Sequence, residues 1–114
     1  MISSTVAAVV VTYNRINLLK RTIASLNTQQ HALSSIIVIN NSSTDGTKEW
    51  LKEQPELIVL ELENRGGAFG FYTGIKEAYS RGFEWIWCMD DDGYPDKFAL
   101  QELFRYKHHS PCVM

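Results

Sequence analysis

Basic charge is in short supply: 11 Lys and Arg against 13 Asp and Glu leave a net charge of −2 over 114 residues, with no basic stripe. That excludes a surface built to coat nucleic-acid phosphates. Cysteine is scarce too. Cys88 sits in an apolar run and Cys112 near the end, unclustered, so neither a disulfide framework nor a zinc site is available and both are expected as free thiols. The longest apolar run, VAAVVV at 6–11, falls far short of the ~20 residues a bilayer span needs and lacks the flanks of a signal peptide. The chain is therefore expected without a membrane span and in the cytoplasm, at most at the inner face of a membrane as part of a longer protein. Repeats, low-complexity tracts and linkers are missing as well, so the residues form one unit, and a chain of this size can bury roughly 65% of its unfolded surface. Two overlapping sequons begin at Asn40 and Asn41, and without a secretory signal they are expected to be chance.

What is present is alternation. Four short β-rich runs, TVAAVVVTY from Thr5, SSIIVIN from Ser34, LIVLELE from Leu57 and FEWIWCM from Phe83, are continuous enough to be strands covered on both faces. Between them Ile16, Leu19, Ile23 and Leu26 recur at helical spacing, as do Trp50 with Leu51, Ile75 with Ala78 and Tyr79, and Leu100 with Leu103 and Phe104. The pattern βαβαβαβα implies an α/β fold, a Rossmann-like parallel sheet with helices on both faces. After the last helix the segment KHHSPCVM offers nothing that reads as a closing element. Trp50, Trp85 and Trp87 read as core, and His31, His108 and His109 carry no functional signal beyond a polar turn and a helix end.

In such sheets the ligand sits beyond the carboxyl ends of the strands where strand order reverses. With the order 3-2-1-4 that point lies between VTYNR, the end of strand one, and CMDDDG, the end of strand four. On an extended segment Asp90 and Asp92 share one face while Asp91 takes the other. Two carboxylates about 6 Å apart repel by about 3 kcal/mol at an effective dielectric near 20, and a helix N-terminus returns only about 0.3–1 kcal/mol. A hard divalent cation, Mg²⁺ or Mn²⁺ on Asp90 and Asp92, would compensate, completing its shell with water and phosphate oxygens. Capping of the next helix is assigned to Asp96, after Pro95, rather than to the acidic cluster. An EF-hand loop does not fit, because Gly93 falls at the wrong position.

These segments resemble a known family. VVVTYNR at 9–15, IIVINNSSTDGT at 36–47, ENRGGAFGFYTGIKEA at 63–78 and WCMDDDGYPD at 87–96 are similar to the nucleotide-sugar half of the inverting family 2 glycosyltransferases with the GT-A fold. The glycine-rich motif followed by DDD most resembles the bacterial rhamnosyl- and galactofuranosyltransferase branch, whose products are cell-wall and other polysaccharides. The resemblance implies that Asp90 and Asp92 hold a metal bridging the diphosphate of a UDP- or dTDP-sugar, with Asp91 near the ribose or sugar. Thr12, Tyr13 and Asn14 would form the base pocket, the Tyr13 ring offering a stacking face. Asn40 stands where the family often has an aspartate that reads the pyrimidine N3–H, and its amide oxygen can accept the same bond. Asn64, Arg65, Gly66 and Gly67 would bring backbone and positive charge to the phosphates. Asp45, before GTKEWL, is read as a helix N-cap.

The sequence departs from the pattern at Phe69, where the branch usually has glycine, and at Tyr72, where the wider family often has asparagine. A receiver domain or an Asp-x-Asp phosphatase would carry its acids after the first strand, which here ends in TYN. The other open reading is a non-catalytic nucleotide-binding or interaction module of the same fold. The resemblance also implies a carbohydrate or lipid-linked glycan acceptor, whose site, like the general base, comes from a segment after the DDD motif. Only Gly93 to Met114 follow it, so the chain is expected to be a donor half truncated before the acceptor half and inactive in transfer by itself.

Overall fold

The computed structural model describes residues 5–30, 33–104 and 112–113. His31, His108 and His109 lie outside them. The four β-rich runs form β1 (Val6–Thr12), β2 (Ser35–Asn40), β3 (Ile58–Glu61) and β4 (Trp85–Asp90). All pair in parallel in the order β3-β2-β1-β4, as the alternation requires. The tail corrects one expectation: Cys112–Val113 forms β5, parallel to β4 through Ile86 and Trp87. Two residues are too few to show a period, which is why the segment reads as featureless. A second correction concerns β3, which is a four-residue edge strand, half-buried to exposed, rather than one covered on both faces. Among the described residues no helix is long and apolar enough to cross a membrane.

The sheet divides its side chains by strand parity. Val6, Ala8 and Val10 of β1, Ile36 and Val38 of β2, and Trp87 of β4 pack with α1 (Ile16–Asn27), α2 (Thr47–Lys52) and α4 (Ala99–Phe104) through Leu19, Ile23, Leu26, Leu51 and Leu100. Trp50 and Trp85 border this core. The opposite parity, Ala7, Val9, Val11, Ile37, Ile39 and Cys88, packs against α3 (Gly67–Ser80). One helix therefore covers one face and three cover the other. Tyr79, grouped by spacing with Ile75 and Ala78, is 79% exposed; it stands one residue, about 100° of helix, past Ala78. Asn40 and Asn41 are both buried, which suits no glycan acceptor.

α3 approaches β1 closely because two of its residues have no side chain. A Cβ on Gly70 would lie 2.9 Å from Val11 Cγ1, and one on Gly74 would overlap Val9 Cγ1. The spacing of Gly66, Gly70 and Gly74, one helical turn apart, is the signal in the sequence for this contact.

Gly74→Ala is expected to destabilise the fold. The added methyl meets a fully buried valine, at a cost of about 1–3 kcal/mol for overpacking, against a gain of about 1 kcal/mol in helix propensity. A urea titration showing an unchanged or raised midpoint would refute the close-packing account.

Candidate functional site

The carboxyl ends of β1, β2 and β4 and the start of α3 enclose a cavity of about 320 Å³. From β1 and the turn after it come Val11, Thr12, Tyr13 and Arg15; Asn41 follows β2; Asn64 and Gly67 flank the start of α3; Asp90 and Asp91 end β4. Six of the residues expected from sequence are thus brought together: Thr12, Tyr13, Asn64, Gly67, Asp90 and Asp91. Five are not on its wall: Asn14, Asn40, Arg65, Gly66 and Asp92. Arg15 and Asn41 are wall residues that the sequence reading passed over.

The acidic segment is not extended, and this changes its geometry. β4 ends at Asp90, and the Gly93 N–H donates to the Asp90 carbonyl at 3.0 Å, closing a tight turn. The strict alternation that would put Asp90 and Asp92 on one face stops there. Asp90 and Asp92 are exposed, whereas Asp91 is 4% exposed. Thr12 Oγ1 donates to Asp91 Oδ2 at 3.0 Å, Thr22 Oγ1 donates to the Asp91 carbonyl at 2.7 Å, and Arg15 Nη1 stands 3.5 Å from Asp91 Oδ1 and 3.8 Å from Asp92 Oδ2. Burial pushes the Asp91 carboxyl above its ordinary range; bonds from Thr12 and the Tyr13 N–H and the Arg15 charge oppose this, and the Asp92 charge adds to it. Asp91 therefore acts as an anchor whose outer edge reaches the cavity.

The remaining expected ligands hold the frame. Asn40, fully buried, donates through Nδ2 to both Glu61 carboxylate oxygens at 3.0 and 3.2 Å, and its Oδ1 accepts from the Ser43 N–H at 3.4 Å. It follows Ile36 and Val38 in parity, so it projects to the face opposite α3, away from Asp90. Asn14, at φ 52°, accepts from the Thr44 N–H at 2.6 Å, while its own N–H donates to Ser43 Oγ. Its left-handed backbone, which asparagine tolerates, serves to join two loops. Arg65 pairs with Glu63 at 3.3 Å and lies over the Phe69 ring. Gly66 caps α3 at φ 92°, and Asn64 Oδ1 accepts from its N–H. Phe69 in turn stands 6.5 Å from the Tyr72 ring, which is largely exposed.

Two assigned caps are corrected. Gly46, not Asp45, is the N-cap of α2. Asp45 accepts from the Thr47 N–H and hydroxyl through Oδ1 and from the Ile16 N–H, the first of α1, at 3.0 Å through Oδ2. It so serves two helices. Asp96 accepts from the Phe98 N–H at 2.8 Å in a turn that precedes α4, which begins at Ala99. Buried Gln29 then ties this turn to α1, donating to the Asp96 carbonyl and accepting from the Leu100 N–H. Thr22 gives no sequence signal beyond being polar on the buried side of an amphipathic helix, and Gln29, two residues past the end of that helix, gives none.

The model of glycosyl transferase family 2 matches residues 7–114. A galactofuranosyltransferase of Mycolicibacterium smegmatis is 35% identical over 106 residues, covering 90% of this chain and 35% of its own length. A poly-beta-1,6-N-acetyl-D-glucosamine synthase of Staphylococcus aureus is 30% identical over 103 residues, covering 87% of this chain and 24% of its own length. Among solved structures, S. aureus TarS in complex with UDP superimposes with a TM-score of 0.77 at 23% identity, over 91% of this chain and 32% of that one. A mannosyltransferase from Pyrobaculum calidifontis in complex with GDP-Man and Mn²⁺ gives 0.77 at 24% identity, over 97% and 34%. These two likenesses establish the fold, and the chain spans about a third or less of the length of the sequence relatives.

Asp45 yields a pH-dependent prediction. Burial raises its carboxyl pKa, but the bonds from Thr47 and Ile16 outweigh this and leave it below the ordinary aspartate value. A depressed folded pKa means stability that is present above the unfolded value and lost as pH falls through the folded one. Asp45→Ala should therefore cost about 0.5–1 kcal/mol at neutral pH, the low end for a lost cap at an exposed site. The gap from wild type should close as pH drops below the ordinary aspartate range. Urea midpoints that differ equally at neutral and acid pH would contradict it.

Proposed function

The chain belongs to glycosyl transferase family 2, and from that membership we propose that it is the donor-binding part of a glycosyltransferase. It would take a UDP- or dTDP-linked sugar with Mg²⁺ or Mn²⁺ and pass the sugar, with inversion, to a carbohydrate or lipid-linked glycan acceptor. The observation that carries this is one cavity where an acidic strand end, the half-exposed Tyr13 ring and the N-terminus of α3 converge. The likeness to galactofuranosyltransferases, and to fold neighbours bound to UDP or to GDP-Man with Mn²⁺, supports a nucleotide-sugar donor, without separating the bases.

The donor set at the mouth of the cavity fits a hard divalent cation. Asp90 and Asp92 are exposed carboxylates one residue apart in a tight turn. One or two carboxylates are the donor set of an ion that draws most of its shell from water and phosphate oxygens. Bound to Asp90 and Asp92, the cation would serve as a Lewis acid toward the departing nucleoside diphosphate.

The chain's own residues do the rest by position. The start of α3 at Gly67 presents backbone N–H groups at the positive end of a 14-residue helix, where phosphate charge is favoured, while the Gly66 N–H is taken by Asn64. Arg15, the cation on the cavity wall, faces the same region and can share phosphate charge once Asp92 turns to the metal. The ring of Tyr13 gives the base a stacking face, and Asp91, fixed by Thr12 and Thr22, offers a positioned acceptor to a donor hydroxyl. All three carboxylates are thereby engaged, so the base that takes the acceptor's proton is assigned to residues outside this cavity.

Calorimetry tests the proposal. UDP or dTDP should bind the chain measurably with Mn²⁺ and at least ten-fold more weakly in EDTA, because each ligand completes the other's contacts. Asp90→Ala and Asp92→Ala should abolish the metal effect while leaving the ligand-free melting temperature close to that of wild type, since both side chains are exposed. UDP affinity indifferent to EDTA, or an Asp92→Ala chain that fails to fold, would overturn the assignment.

A further inference from the structure

A second cavity, of about 460 Å³, lies between α1 and the segment that follows the acidic turn. It shares no wall residue with the donor cavity, so the sugar donor does not account for it. Ala24 of α1 faces Tyr94 and Pro95 across it, which makes much of the wall apolar, and two cations, Arg21 and Lys97, stand on opposite sides. Its volume is that of a small-molecule site.

The way these cations are held says what they are free to do. The Arg21 guanidinium lies 4.5 Å from the centre of the Tyr94 ring and Lys97 Nζ 5.2 Å from that of Phe98, and among the described residues neither is in an ion pair. A ring positions a cation without neutralising it, and a guanidinium over a ring face keeps N–H groups at its edge for an anion. The Tyr94 ring reaches its place at a conformational cost: its φ is 39°, where bulky residues are rarely found. Its N–H donates to Thr22 Oγ1 at 3.4 Å, and the ring stays half-exposed. The other polar groups of the wall are already engaged. Ser25 and Thr28 donate their hydroxyl hydrogens to the Thr22 and Ser25 carbonyls, and the Asp96 carboxylate accepts from the Phe98 N–H. Arg21 and Lys97 are the donors left open.

We propose that this cavity binds a phosphate ester, its oxygens taken by Arg21 and Lys97 and its organic part laid against Tyr94 and Pro95. The planar fork of an arginine matches two phosphate oxygens, and a lysine adds a point charge for a third. Two cations against the single Asp96 carboxylate favour a group that carries more than one negative charge over a carboxylate ligand. The apolar wall favours an ester over a bare, hydrated ion. A free phosphate ester and a lipid headgroup present this same chemistry. The proposal does not rest on the donor reading, because the two cavities have no residue in common.

The test is an NMR titration of the chain without divalent metal, using phenyl phosphate, inorganic phosphate and benzoate as probes. Phenyl phosphate should shift the amides of Ser25 and of residues 94, 96 and 97, and should bind at least about five-fold more tightly than either of the others. Arg21→Gln and Lys97→Gln should each weaken it by at least about three-fold, whereas Lys76→Gln, an equal change of charge on exposed α3, should leave it within about two-fold. Vesicles then name the source. Retention on phosphatidylglycerol but not phosphatidylcholine vesicles, lost in Lys97→Gln, assigns a lipid headgroup, and no retention on either assigns a soluble ester. Shifts confined to the donor cavity, benzoate bound as tightly as phenyl phosphate, or an affinity unchanged in both variants overturns the proposal. Should Arg21→Gln fail to fold once Tyr94 loses its cover, Lys97→Gln alone must show the loss, and an unchanged affinity there overturns the proposal equally.

Discussion

The arrangement of the cavity depends on one buried carboxylate. Asp91 ties the end of β4 to a stretch 69 to 79 residues earlier in the chain: its side chain takes the Thr12 hydroxyl from the end of β1, its carbonyl takes the Thr22 hydroxyl from the middle of α1, and Arg15 approaches from the turn between them. A charge removed from water is tolerated only when hydrogen-bonded or paired. The contacts that meet this demand also fix where β4 ends and where the chain turns. Because Asp91 points inward, its neighbours Asp90 and Asp92 are left at the surface. The triple aspartate is therefore one buried, hydrogen-bonded residue flanked by two exposed ones.

The two faces of the sheet have separate duties. Three helices bury the Val6, Val10 and Val38 side, which supplies most of the core, and Thr12, Asn40 and Asp91 continue that parity into the hydrogen-bonded frame. The other face carries a single helix seated close by two glycines, and Val11, Asn41 and Asp90 emerge there beside the start of that helix. Side-chain parity along three strands thus separates the framing residues from Val11, Asn41 and Asp90, with Thr12 and Asp91 alone among the framing residues also reaching the cavity wall.

Much of this was legible in the sequence because long-period signals survive without tertiary information. Four apolar runs separated by amphipathic stretches fix a parallel α/β sheet, and the polar ends of the first and fourth runs mark the crevice. What stayed hidden was set by contacts across the fold. Treating residues 90–92 as extended was reasonable until the Gly93 N–H closed a turn on Asp90. Asn40 matched a family position by alignment of letters, yet the side of the sheet it occupies is decided by parity counted from the core. Arg15, Thr22 and Gln29 have partners some 70 or more residues away, and no local pattern announces such pairs. Asp45 looks like a cap, but that it serves α1 as well as α2 follows only from the approach of two loops.

That approach has a thermodynamic side. Asn14 grips Thr44, Ser43 grips Asn14, and Asp45 grips the first amide of α1, so the loop after β1 and the loop after β2 are laced into one body. Tyr13 and Asn41 stand on that body at two points of its rim. The conformational entropy of holding them in register is spent when the chain folds, not when a ligand arrives. Association at this end of the cavity should resemble a key entering a cut lock, with little of the ordering penalty that slack loops impose; amide exchange would then report residues 14 and 43–45 as opening together, with or without ligand.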